Sequence, residues 1–193
     1  MKVLMLNGSR REKGCTFTAL SEVAKGLGEA GIETEILHVG RDAVSGNIDN
    51  IVKDIRDRLK NADGLVVGSP VYFAGASGEI TAILDRLFML AEADLRLKPA
   101  AAIASARRAG TTATLDALNK YFTYAEMPIV SSRYWNMVHG AKPEDVKADE
   151  EGVQIMRILG RNMAWLLKSI EAGKKAGVEQ PRADKKVFTN FVR

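Results

Sequence analysis

Leu6-Asn7-Gly8-Ser9-Arg10-Arg11-Glu12-Lys13-Gly14-Cys15-Thr16-Phe17-Thr18 decides how this chain is read. The stretch follows the apolar run Lys2-Val3-Leu4-Met5-Leu6 and opens a helical pattern that begins near Phe17. A buried parallel strand that breaks into a polar, glycine-bearing loop and then starts a helix makes an anion site. The first N–H groups of the helix have no partner, and its dipole places partial positive charge at the same end. Around that point the loop gathers the hydroxyls of Ser9, Thr16 and Thr18 and the cations of Arg10, Arg11 and Lys13. Several donors and concentrated positive charge suit a phosphate monoester.

Two familiar phosphate loops do not fit. No Gly-Lys-Ser/Thr occurs here, which argues against a nucleoside triphosphatase, and Gly8 and Gly14 are too far apart for the dinucleotide turn Gly-x-Gly-x-x-Gly. The segment instead resembles the Gly-Ser-x-Arg-x-x-Gly-x-Thr loop of flavodoxin-like NAD(P)H-dependent FMN reductases, with Gly8, Ser9, Arg11, Gly14 and Thr16 at the matching positions.

Outward from this loop the pattern alternates strand and helix. Phe17, Leu20, Val23, Ala24 and Leu27 form a helical stripe that ends near Gly31, and Ile32, Thr34 and Ile36 alternate with Glu33 and Glu35 as an edge strand does. Further helices are expected around Ile51 to Leu59, Ile80 to Phe88 with Ser77 as N-cap, Leu115 to Phe122, and Ile155 to Ile170, the last closed by Gly173. Gly64 to Gly68 and Ala100 to Ala104 read as central strands, and Met127 to Val130 as a short final one. Five strands with helices between them imply an α/β fold, a doubly wound five-stranded parallel sheet. The flavodoxin-like order 2-1-3-4-5 puts the apolar strands in the middle and a ligand crevice between strands 1 and 3. Residues 1–173 are expected to form an FMN-binding domain. Residues 174–193 read as a basic tail whose Val187, Phe188, Phe191 and Val192 pack on the domain or on a partner subunit.

The loops after strands 3 and 4 then lie beside the first. Ser69-Pro70-Val71-Tyr72-Phe73-Ala74-Gly75-Ala76-Ser77-Gly78 is stiffened by Pro70, admits close backbone approach, and offers Tyr72 and Phe73 as an apolar wall. The same two aromatics also suit a core or an interface. Ser105-Ala106-Arg107-Arg108-Ala109-Gly110 is small and cationic. Phosphate at the first loop and a flat ring between the other two describe a mononucleotide such as FMN. Gly68-Ser69-Pro70-Val71-Tyr72, followed by Leu84-Asp85-Arg86, matches the family's Ser-Pro-Val-Tyr segment and the Asp-Arg of its next helix, so the resemblance covers residues 2 to about 170. It implies that Ser9, Arg11, Gly14, Cys15 and Thr16 hold the phosphate, that Pro70, Val71, Tyr72 and Phe73 flank the isoalloxazine, and that Ser105, Arg107 and Gly110 border its pyrimidine side. Cys15 has two readings, a backbone N–H donor or a redox thiol; Trp135 and His139 either cover the flavin or serve the packing.

Composition bounds the rest. A chain of 193 residues with 46% hydrophobic and 27% charged residues suits one globular domain. No run reaches the length of a membrane span, and the N-terminus enters a strand with no signal-peptide pattern, so a cytoplasmic location without membrane association is expected. The net charge of +4 comes without interleaved aromatics or a recognition helix, which argues against nucleic acid. The one cysteine excludes an intrachain disulfide. The family's iron–sulfur relatives carry cysteines after strand 2, whereas residues 38–48 here have none, so no metal site is expected. No Ser/His/Asp set or carboxylate pair supports hydrolysis, and no catalytic side chain is assigned. The expected activity is transfer of electrons from NAD(P)H through FMN to a small acceptor such as a quinone or free flavin, by a homodimer or homotetramer. The alternative is a flavodoxin-type electron carrier without its own turnover.

Overall fold

The computed structural model describes residues 1–43, 45–189 and 191. Val44 in the cysteine-free segment, and Val192 and Arg193 in the apolar, basic tail, lie outside the described residues. The strands are β1 (Lys2–Asn7), β2 (Glu33–His38), β3 (Gly64–Tyr72), β4 (Gly75–Ala76), β5 (Ala100–Ala106) and β6 (Met137–His139). The helices are α1 (Cys15–Gly28), α2 (Ile48–Leu59), α3 (Gly78–Leu90), α4 (Glu92–Leu95), α5 (Thr111–Tyr124), α6 (Pro143–Ala148) and α7 (Glu150–Lys175). The parallel sheet runs β2-β1-β3-β5-β6, with Leu4 opposite both Glu35 and Leu65. This is the flavodoxin-like arrangement expected from the apolar pattern.

Strand periodicity divides the core in two. Leu4, Leu6, Leu65 and Val67 face one layer with α2, α3 and α5, while Val3, Met5, Val66 and Ile103 face the other with α1 and α7. At the second face α1 and α7 cross backbone to backbone. A Cβ on Gly26 would lie 2.2 Å from the Arg157 carbonyl oxygen, and one on Gly160 would lie 2.3 Å from that of Val23. Glu22, buried in this crossing, pairs with Arg157 at 2.8 Å and Lys25 at 2.6 Å.

Two expectations are corrected. Met127 to Val130 is not the fifth strand: Ile129 makes only an isolated bridge to Ala100, and the edge strand is β6, paired with Ala104–Ala106. Pro128 has no N–H to extend a ladder. Between that bridge and β6 the Asn136 side chain donates to the Ala102 carbonyl. The region after Gly68 is likewise not all loop, because β3 continues through Tyr72 and turns back into β4. The turn residues Phe73 and Ala74 have φ of 50° and 60°, the left-handed pair that a two-residue hairpin requires.

Candidate functional site

At the carboxyl edge of the sheet, residues 8–14 form the loop that leads into α1. The carbonyls of Asn7, just before it, and of Gly8, Ser9 and Glu12 each meet a donor from outside the cleft lining. The Asn7 carbonyl accepts from Val39 N–H (3.0 Å) and Gly40 N–H (3.2 Å), and that of Gly8 from Ser77 Oγ (2.9 Å). The Ser9 carbonyl accepts from His38 Nε2 (2.7 Å), and that of Glu12 from Asn7 Nδ2 (2.8 Å). Asn7 Oδ1 takes the Ser9 N–H (3.1 Å), and Ser9 Oγ takes that of Arg11 (3.1 Å). At the start of α1 the N-cap is Gly14, which supplies no side-chain acceptor. Among the described residues the N–H groups of Cys15, Thr16 and Phe17 find no acceptor. A loop with carbonyls held by donors from outside the cleft and with unpaired N–H groups at the helix start fits a phosphate.

Ser9, Arg11, Cys15 and Thr16 line one cleft of ≈ 270 Å³ together with Pro70, Val71, Tyr72, Ser105 and Arg107. The three loops expected to cooperate are thus brought together. Thr16 Oγ1 and Ser105 Oγ, both buried, share a hydrogen bond of 2.8 Å that joins the first loop to the end of β5. The Cys15 thiol lies 3.6 Å from the Gly140 carbonyl, and its burial pushes the pKa up from 9.0. Arg11 and Arg107 are exposed cations at the rim, whereas Arg10 turns away to the buried Glu79 at 3.4 Å.

Three candidates stand outside the lining. Gly14 caps α1, Gly110 precedes α5 with φ +93°, and Phe73 projects fully exposed from the hairpin tip. Trp135 and His139 do not line the cleft either. Trp135 stacks edge-on with Tyr134 at 4.6 Å, and His139 donates its N–H to Asp149 Oδ2 at 2.7 Å. Asp85 accepts from the Tyr121 hydroxyl, and Arg86 pairs with Asp49 at 2.9 Å, so the Asp-Arg pair ties α3 to α5 and α2.

Other residues complete the cleft. Ala106, Gly140 and Ala141 also line the cleft, Gly140 and Ala141 from the turn after β6. Asn7, His38 and Gly40 act from behind the loop. A Cβ on Gly40 would sit 2.4 Å from the Ser9 oxygen, so only glycine lets this turn approach. Such roles exist only once β2 lies beside β1.

Comparison with known proteins places this geometry. An iron-sulfur flavoprotein of Methanocaldococcus jannaschii is 30% identical over 89% of this chain and 100% of its own length. An FMN reductase (NADPH) of Escherichia coli is 29% identical over 75% of this chain and 74% of its own. The flavodoxin, WrbA-like protein from Agrobacterium tumefaciens superposes with a TM-score of 0.63 at 18% identity, over 87% of this chain and 97% of that one, and shares the fold. Iron–sulfur clusters are held by thiolates. With one cysteine, and no group of three or more His, Cys, Asp or Glu side chains placed to hold a metal among the described residues, this chain does not fit such a cluster. The model of the NADPH-dependent FMN reductases matches residues 1–142, and the chain belongs to that family.

Proposed function

We propose that the protein passes electrons from NAD(P)H through FMN to a small acceptor, a quinone or free flavin, with the FMN phosphate at the N-terminus of α1. An FMN-dependent oxidoreductase with NAD(P)H as donor is what its family supplies. The single observation that carries the site assignment is the loop at residues 8–14, where the carbonyls of Gly8, Ser9 and Glu12 are held by donors from outside the cleft lining and the N–H groups of Cys15 and Thr16, both cleft residues, find no acceptor among the described residues. The chemistry FMN supplies when bound is hydride acceptance from the nicotinamide and electron release to the acceptor. The chain's part is binding and orientation. Ser9, Thr16 and the loop N–H groups donate to the phosphate, and Arg11 offsets its charge. Pro70, Val71 and Tyr72 supply an apolar flank, and the end of β5 with Arg107 donates to the polar rim of the ring. No side-chain acid or base is required.

The working form we propose is a homodimer or homotetramer. Met89, Leu90, Trp135, Val187 and Phe188 are all more than half exposed, and a second copy would bury them. The segment after α7 is tied to its own domain by Arg96 on the Pro181 carbonyl (2.9 Å) and by Lys186 on Glu92 (2.6 Å). Beyond Lys186 its apolar side chains are the part we assign to a partner. Steady-state NADPH oxidation with a quinone or free FMN as acceptor tests the reading. Sustained turnover with either supports it, and NADPH consumption limited to one equivalent per flavin contradicts it in favour of an electron carrier.

A further inference from the structure

A phosphate loop presents its N–H groups only if its carbonyls are held the other way, so the groups behind the loop bear on affinity as much as those in front. We propose that His38, the last residue of β2, is a positioning residue for the FMN phosphate; this rests on the flavin assignment above. His38 Nε2 lies 2.7 Å from the Ser9 carbonyl oxygen. A carbonyl can only accept, so the imidazole carries its proton on Nε2.

Ser9 is the residue at which this matters. Its N–H is already held by Asn7 Oδ1 and its Oγ by the Arg11 N–H, so the carbonyl is its last free orientation. Rotation of the Ser9–Arg10 peptide would turn an acceptor toward the phosphate and swing Arg11 out of register. His38 closes off that rotation. The carbonyls of Asn7, Gly8 and Glu12 are held by backbone N–H groups or by Ser77 and Asn7, which are themselves fixed within the cap of α3 and β1. His38 reaches in from a separate, edge strand. Gly40, two residues later, adds its N–H to the Asn7 carbonyl and leaves the space the Ser9 oxygen occupies. The segment from His38 to Gly40 thus acts here as a brace on the phosphate loop.

The test is flavin binding by apo-protein, followed by flavin fluorescence, for wild type, His38→Leu and His38→Gln, each with FMN and with riboflavin. Leucine keeps bulk and removes the donor; glutamine returns an N–H at the same reach. Loss of this partly buried hydrogen bond corresponds to a loss of up to about tenfold in FMN affinity for His38→Leu, with riboflavin changed less than about twofold. His38→Gln is expected to recover FMN affinity to within about threefold of wild type. Equal losses for both flavins, unchanged FMN affinity in the leucine variant, or failure of glutamine to rescue overturns the proposal. Wild-type protein that binds neither flavin overturns the underlying flavin assignment instead, so the two failures are distinct.

Discussion

Asn7 is uncharged, fully buried and outside the cleft lining, yet its side chain grips the loop at Ser9 and at Glu12. Arg11 works from the opposite side, an exposed cation at the rim whose only assigned task is charge. Arg11→Ala is therefore expected to weaken FMN by about tenfold or more while leaving riboflavin nearly untouched, because only FMN carries the phosphate. Calorimetric titration of both flavins checks this, and equal losses would sink the assignment. Cys15 gives a second test at this scale. Burial raises its pKa above 9.0, so it stays a thiol at neutral pH, and thiolate is the reactive form. Alkylation at pH 7 should be slower than for a free cysteine and slower again with FMN bound. Rapid labelling indifferent to FMN would remove Cys15 from the cleft wall.

Between elements, the α1–α7 crossing rests on Glu22. Its burial alone would raise the carboxyl pKa, but hydrogen bonds and charge from Lys25 and Arg157 outweigh this and hold it below 4.5. A carboxyl depressed in the folded state stabilises at pH above its unfolded value, and the contribution disappears as pH falls through the folded value. The stability of the wild type should thus decline below pH 4.5 more steeply than that of Glu22→Gln, which at pH 7 should be less stable by roughly 1–2 kcal/mol. Urea unfolding at both pH values measures it, and parallel pH profiles would refute it. The apolar runs of β1, β3 and β5 and the Ser77 cap are written in local sequence, which is why the sheet order and the cleft-forming loops could be read there. Strand β6 could not, because Asn136 completes a ladder that Pro128 interrupts. Nor could the hairpin tip, since Phe73-Ala74 lacks the Gly or Asn that marks such a turn. His38 and Gly40 have meaning only through their tertiary neighbour, the loop at residues 8–14.

For the whole molecule, the single cysteine sets this chain apart from the relatives named as iron-sulfur flavoproteins. Protein prepared anaerobically should hold no stoichiometric iron or acid-labile sulfide, and about one equivalent of either would contradict the thiolate argument. Truncation after Ala183 removes Val187, Phe188 and Phe191, and should lower both the mass seen by light scattering and the reductase rate. A full-length monomer at micromolar concentration with normal activity would rule out the assembled form. Cleft, loop polarity and family all converge on bound FMN that NADPH can reduce. That is read directly from the visible spectrum of FMN-reconstituted protein, recorded anaerobically before and after one equivalent of NADPH. Flavin absorbance retained after gel filtration and then bleached is the expected result; protein that emerges colourless, or yellow protein that NADPH leaves unchanged, would contradict it.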